Sequence, residues 1–311
     1  MSFRRRWFPI LLAGILVTIM VGLAQGLGCP EILFPEMAAI LCGAWIQPSQ
    51  AWNVDRPRML VLMAFASVLG LASNLWLPLP LAVRILIGYA VCATVMNAIG
   101  ADMTPMLSAA ILPMLLGTDS WAYPAAVVSL VIAVCLGQMW LERIGEREPI
   151  DYQRLNLPWK EAIPFWGKRL LVFGLIAVPA YLSGLTFLAV PPLIVAYTEL
   201  TRPDFTLRTR PLRAWATMAG AGAIGALARA AVNSGVAPVV LAAACGFGLL
   251  VLLWDRMRAW MPPAGAAVLL ALLAPVPNPM LYAVEVAVGS AVWTLAALVI
   301  FPGVRPSWWP M

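Results

Sequence analysis

Apolar residues along this chain gather into twelve blocks, near 8–27, 30–46, 59–77, 80–98, 103–117 and 122–141, then 169–186, 187–200, 212–232, 235–254, 261–275 and 280–301. A bilayer crossing needs about 20 apolar residues, fewer where a helix is short or enclosed by protein. The pattern therefore predicts an all-α, polytopic membrane protein of about 12 transmembrane helices. The blocks fall into two sets of six. Phe34-Pro35 answers to Val190-Pro191, Arg56-Pro57 to Arg210-Pro211, Met103-Thr104-Pro105 to Met261-Pro262-Pro263, and Tyr123 to Tyr282, at offsets of 156, 154, 158 and 159 residues. Such loop-sized slips predict two homologous six-helix repeats, residues 1–141 and 169–311, joined by a charged cytoplasmic linker, 142–168. Trp159 and Trp166 are expected there as interfacial anchors.

Charge placement turns this count into a topology. With the amino terminus on the cytoplasmic side, every one of the 20 basic residues except Arg84 and Arg229 falls on that side, from Arg4, Arg5 and Arg6 through to Arg305. A short segment that turned back would move every later loop to the wrong face. Both ends are thus expected inside, and six crossings per half make the repeats parallel. Residues 1–28 have a basic cluster and an apolar run, as a signal peptide does. Lys168-Arg169 and the apolar run behind them open the second half in the same way, so the first block is expected to be a working helix.

Composition supports this class. Hydrophobic residues make up 62% and charged residues 11%, against about 25% charged in a soluble domain. The pI near 9.4 would suggest nucleic acid in a soluble chain; here the basic residues sit at block ends, orienting the protein and meeting anionic lipid, and no nucleic-acid partner is expected. The expected location is the cytoplasmic (inner) membrane. Histidine is absent, so imidazole acid–base chemistry and histidine metal ligation are excluded. The five cysteines have no CxxC spacing, and neither a metal site nor a cofactor is expected. No enzyme constellation stands out.

Candidate chemistry is sparse. The second and fifth blocks of each half are short and begin at or beside proline: Pro35, Pro105, Pro191-Pro192 and Pro262-Pro263. If these lie at membrane depth, the helix starts offer free amides and a positive dipole end to an anion; otherwise they mark helix starts at the interface. Glu36 is either a proton-carrying acid beside a substrate or a cap for its own helix. Glu285 is placed to pair with Arg84 or Arg229, as a gate or a staple. Glu199 is expected to form a solvated pair with Arg202. Thr104, Ser108 and Asn97 suit a pathway lining or helix-to-helix hydrogen bonds. Gly220, Gly222 and Gly225 spell GxGxxG inside an apolar block with no strand before it, which excludes dinucleotide binding. Ala216, Gly220, Ala223 and Ala226 read instead as one packing face. Tryptophans near block ends, such as Trp7, Trp76 and Trp308, read as interfacial belts.

The second half, with Pro191-Pro192 leading residues 193–199, then 210–225, then Met261-Pro262-Pro263-Ala264-Gly265-Ala266, resembles the HPP family of integral membrane proteins. That family carries a His-Pro-Pro signature; the histidine position is Met261 here, and the first half keeps only Met103-Thr104-Pro105. The resemblance implies passage of a small, nitrite-like anion, with Met261, Pro262 and Pro263 among the lining residues. Residues 35–70, with Gln47-Pro48-Ser49, Arg56 and Arg58, are similar to the six-helix membrane block of the fusaric-acid-resistance and aromatic-acid exporters, which implies an organic acid instead. The expectation is a transporter whose path runs between two homologous halves, as a homodimer or alone. The alternative is an accessory subunit that holds a partner transport subunit.

Overall fold

The computed structural model describes residues 3–274, 276–301 and 303, with side chains from residue 7 onward. The side chains of Arg4, Arg5 and Arg6, and the whole of Arg305 and Trp308, lie outside the described residues. Among those described there are twelve α-helices and no strand: α1 Phe3–Gly26, α2 Glu36–Leu41, α3 Arg56–Trp76, α4 Leu81–Ile99, α5 Pro105–Leu116, α6 Ala122–Arg143, α7 Trp159–Leu182, α8 Pro191–Leu200, α9 Pro211–Asn233, α10 Val239–Met257, α11 Pro262–Leu273 and α12 Pro279–Ile300. A π-helical turn, Cys42–Ile46, continues α2.

Seven helices are long and apolar enough to cross a membrane: α1, α3, α4, α6, α7, α10 and α12. Their outward faces are apolar too. On α1, Leu11, Ile15, Ile19 and Leu23 are exposed at helical spacing while Ala13, Val17 and Met20 are buried. A helix apolar all round belongs in a core or a membrane, and the exposed stripe is consistent with a transmembrane helix. The short helices behave differently. Every residue of α2 and α8 is buried, as is α5 from Pro105 to Met114 and α11 from Pro262 to Leu272. At about 1.5 Å rise per residue, twelve residues reach roughly 18 Å, well short of a hydrocarbon layer of about 30 Å. Their backbone ends are tolerable at that depth because protein surrounds them.

The four buried helices pair crosswise: α2 packs on α11 and α5 on α8. The long helices cross over likewise, α1 onto α10 and α7 onto α4. Matching contacts recur along the chain. The Tyr123 hydroxyl donates to the Ala109 carbonyl at 2.8 Å, and Tyr282 to Ala267 at 2.5 Å. Gly70 of α3 lies against the Ala110 carbonyl, and Gly225 of α9 against the Val268 carbonyl. Asn74 caps the end of α5 through Pro113 O at 2.6 Å; Arg229 caps the end of α11 through Ala271 O at 2.7 Å, Leu272 O and Ala274 O. Gly100 ends α4 at φ 73°, and Arg258 ends α10 in the same left-handed region at φ 49°, which costs a side-chain-bearing residue roughly 1 kcal/mol.

Two expectations change here. Helix α7 starts at Trp159, ten residues before the expected 169, because Pro158 opens it and residues 159–168 continue its turns. Trp166 is half-buried, edge-on to Tyr89 at 6.4 Å, and Trp159 is exposed. Ala216, Gly220, Ala223 and Ala226 do not form one buried face, since Ala226 is buried, Ala216 and Gly220 are half-buried and Ala223 is exposed; a Cβ on Gly220 would meet Leu253 of α10, on Gly222 Val286 of α12, and on Gly225 Ala271 of α11. Three neighbours press on one helix, and small residues admit them all.

The linker is tied down. Leu155 N donates to Gly100 O at 2.8 Å, the Tyr152 hydroxyl to the same carbonyl at 2.9 Å, and Asn53 and Gln153 exchange two hydrogen bonds. An added Cβ on Gly100 would stand 2.7 Å from Arg154 Cγ, so the glycine admits the strap as well as the turn.

Candidate functional site

Two carboxylates lie inside the ring of long helices, each on a short helix and each 1% exposed. Glu36 begins α2. Ser108 Oγ, one turn into α5, donates to its Oε1, and Oε2 has no hydrogen-bond partner. Glu199 stands near the end of α8. Its Oε1 accepts from Trp52 Nε1 at 2.8 Å and from Thr104 Oγ at 3.0 Å, and its Oε2 is also without a partner. Both acids therefore bind across helix boundaries, and Glu199 joins residues 52 and 104 to α8. Buried carboxyl groups with an unused oxygen are costly in an apolar setting unless protonated or given an ion.

The solvated Glu199–Arg202 pair does not form. Arg202 is buried and pairs with Asp102 (Nη1–Oδ2 2.7 Å) and Asp204 (Nη2–Oδ2 3.1 Å). The peptide before α5 carries Asp102 to the end of α8, where it takes the cation that the sequence assigns to Glu199. Beside them Arg169, three turns into α7, is 1% exposed. Its guanidinium lies 3.8 Å over the Phe165 ring and 4.6 Å over Trp166, and its Nε and Nη2 have no hydrogen-bond partner. Thr198 is part of the wall: its Oγ donates to Ile194 O at 2.9 Å and stands 3.2 Å from the Tyr89 hydroxyl, which is left as the donor to it. A cavity of about 30 Å³ lies among Asp102, Thr104, Arg169, Thr198 and Arg202, roofed by Leu155 and Leu157 of the linker. Asn97 lines it too and reaches Leu157 O at 3.4 Å.

At the opposite end of α2, a depression of about 300 Å³ is bounded by Glu31, Asp119, Tyr123 and the start of the first short-helix turn at Pro30. Near the linker, burial pulls the Arg147 guanidinium down to about 10, with Glu142 opposing; Arg147 Nη1 donates to Gln47 O at 3.2 Å.

The remaining candidates are scattered. Pro35, Glu36 and Ser108 meet, and Thr104 and Pro105 adjoin Glu199, but Pro191 lines a separate apolar recess with Leu270 and Ala274, and Pro192 is buried beside it in α8. Met261, Pro262 and Pro263 open α11, where the Met261 carbonyl accepts from Trp254 Nε1 at 3.2 Å. The proline-led starts do not supply free amides for an anion. Pro191 and Pro192 have no N–H, and Leu193 and Ile194 both donate to Val190 O. Met37 and Ala38 likewise close onto Phe34 O and Pro35 O, Met106 and Leu107 onto Met103 O and Thr104 O, and Ala264 onto Met261 O. Tight turns consume the donors that the sequence leaves open. The ion pair of Glu285 with Arg84 or Arg229 is not formed either. Glu285 Oε2 accepts from Phe187 N at 2.9 Å, Arg84 donates to Asn74 Oδ1 and Ser73 O, and Arg229 serves the end of α11. Glu285 and Trp293, the latter through Leu188 O at 2.8 Å, pin the turn that precedes α8.

Sequence reasoning misses Arg169, Asp102, Trp52 and Tyr89. The only available signal is Pro158: a helix opened there carries Arg169 inward by three turns.

No family model, curated protein or solved structure matches the chain. The likeness to the HPP family thus stands on the quoted motifs alone.

Proposed function

We propose that the protein is an integral membrane transporter that moves a small anion, linked to protons, across the cytoplasmic membrane along the interface between two parallel, homologous six-helix halves with both termini inside. One observation carries the reading: Glu36 and Glu199, on two enclosed short helices, and Arg169 on α7 are three buried ionisable groups with unused polar atoms. Intramembrane charges of this kind mark substrate and proton routes, and interrupted helices at membrane depth are where transporters place their sites. The recurring contacts at offsets near 158 support the repeat, and the crosswise pairing of α2 with α11 and α5 with α8 supports a path along the shared interface. The route runs from the Glu31–Asp119 depression past Glu36 and Ser108 to Thr104 and Glu199, and on to the Arg169 cavity. By volume the cavity takes roughly two waters or one compact ion, not an aromatic acid.

Flux into proteoliposomes tests this, with nitrite, nitrate and a panel of short-chain and aromatic carboxylates, each with and without a proton gradient. Small-anion flux that follows the gradient and is lost in Glu36→Gln, with normal membrane insertion, is the expected result. Carboxylate flux alone would replace the substrate class; no flux from correctly inserted protein would favour an accessory subunit. Unchanged pH dependence in Glu36→Gln would remove that residue from the proton path.

A further inference from the structure

The cavity under the linker has a feature that ordinary packing does not explain. Arg169 is a fully buried cation whose ring contacts satisfy its faces, while the in-plane donors Nε and Nη2 reach no acceptor and form no ion pair among the described residues. Guanidinium donors lie in one plane and fork outward, so stacking between aromatic rings cannot satisfy them. The neighbouring cation, Arg202, is already engaged by two carboxylates, Asp102 and Asp204. The donors left over among these residues are therefore those of Arg169, whose charge the second carboxylate on Arg202 offsets. The remaining wall offers the hydroxyl and amide groups of Thr104, Thr198 and Asn97, beside the Asp102 carboxylate that Arg202 engages.

We propose that this cavity is a binding site for one compact monovalent anion, a halide or a small oxyanion such as nitrite or nitrate, held by the edge of the Arg169 guanidinium. Placing the site on the transported anion's route rests on the transport reading above; its affinity for an anion does not. Size selects against aromatic acids, because about 30 Å³ holds roughly two waters or one compact ion. Phe165 and Trp166 line one side and Leu155 and Leu157 the linker side, so the ion would give up part of its hydration shell on entering. That favours weakly hydrated anions over strongly hydrated ones such as fluoride. Thr104 bridges this cavity to Glu199 by the 3.0 Å hydrogen bond to Oε1, so an anion at Arg169 and a proton on Glu199 would stabilise each other through one hydroxyl.

The test uses purified full-length protein in detergent at constant ionic strength, with gluconate as the inert anion. Chloride, bromide, nitrite and nitrate should raise the thermal unfolding midpoint saturably, and benzoate should not. Arg169→Gln should weaken binding at least tenfold, while Lys160→Gln, an exposed change, should leave it unaltered. If Arg169→Gln does not fold, Ala101→Leu fills the cavity without touching the charge and should abolish the effect equally. A structure determined with bromide should show its anomalous peak at hydrogen-bonding distance from Arg169. No saturable stabilisation of the unaltered protein, undiminished binding in both variants, or bromide elsewhere only would overturn the proposal. Failure here with small-anion flux intact would discard this site and keep the transport reading; binding here without flux would do the reverse.

Discussion

The α5–α8 seam and the α2–α11 seam join the same kinds of helix in the same crosswise manner, yet one is polar and the other is sealed. In the first, Thr104 reaches Glu199 and Asp102 pairs with Arg202. In the second, Gly265 lies so close to Ala38 that an added Cβ would stand 2.9 Å from the Ala38 carbonyl carbon. At the repeat offset, Asp102, Thr104 and Ser108 face Trp260, Pro262 and Ala266, and Thr198, Glu199 and Arg202 face Cys42, Gly43 and Ile46. One frame therefore carries opposite chemistry on its two sides. Close apolar packing needs no partners and gives rigidity; a buried polar seam needs every partner, and its unfilled donors and acceptors are where an ion can enter. Gly43 links the two: an added Cβ would lie 2.5 Å from the Trp52 ring, so the missing side chain makes room for the indole that reaches Glu199.

The comparison can be broken most severely at Asp102. Asp102→Ala takes one of its carboxylates from buried Arg202, a loss of about 3 kcal/mol; the unfolding midpoint in detergent should drop, and adding Arg202→Met should recover most of it. If the double variant is no better than the single, the seam is not held by that ion pair. On the sealed side, Gly265→Val forces a branched side chain against the Ala38 backbone, which cannot yield as a flexible side chain can, at a cost of about 2 kcal/mol. Its effect should be on stability, leaving anion selectivity as it was. The smallest change is Trp52→Phe, which removes one donor from Glu199 while Thr104 remains. It should cost about 1 kcal/mol and shift the pH dependence of flux more than the unfolding midpoint. The reverse ranking would make Trp52 a packing residue.

The helical frame was legible along the chain because blocks of apolar residues and proline-marked starts are local signals. All twelve expected segments contain an observed helix, and the short second and fifth segments of each half are the buried ones. Glu36 with Ser108 is a pair whose members were both candidates; their meeting was not foreseeable, since residues 72 positions apart have no shared period. The free amides expected after Pro35 and Pro191-Pro192 vanish because local turns close on them. Glu285 turns from the expected cations to a backbone N–H only 2.9 Å away.

What the sequence determined by itself is the helical, apolar class, helix placement and the matched spacing of Tyr123 and Tyr282, all set by composition and chain-local spacing. Only tertiary structure decided which carboxylate meets which cation and where donors are left without an acceptor. Asp102 in place of Glu199 as the partner of Arg202, and the unpartnered guanidinium of Arg169, depend on how α4, α5, α7 and α8 converge. Coulomb and hydrogen-bond energies fall off within a few ångströms, and no spacing along a chain reports distances that short between helices.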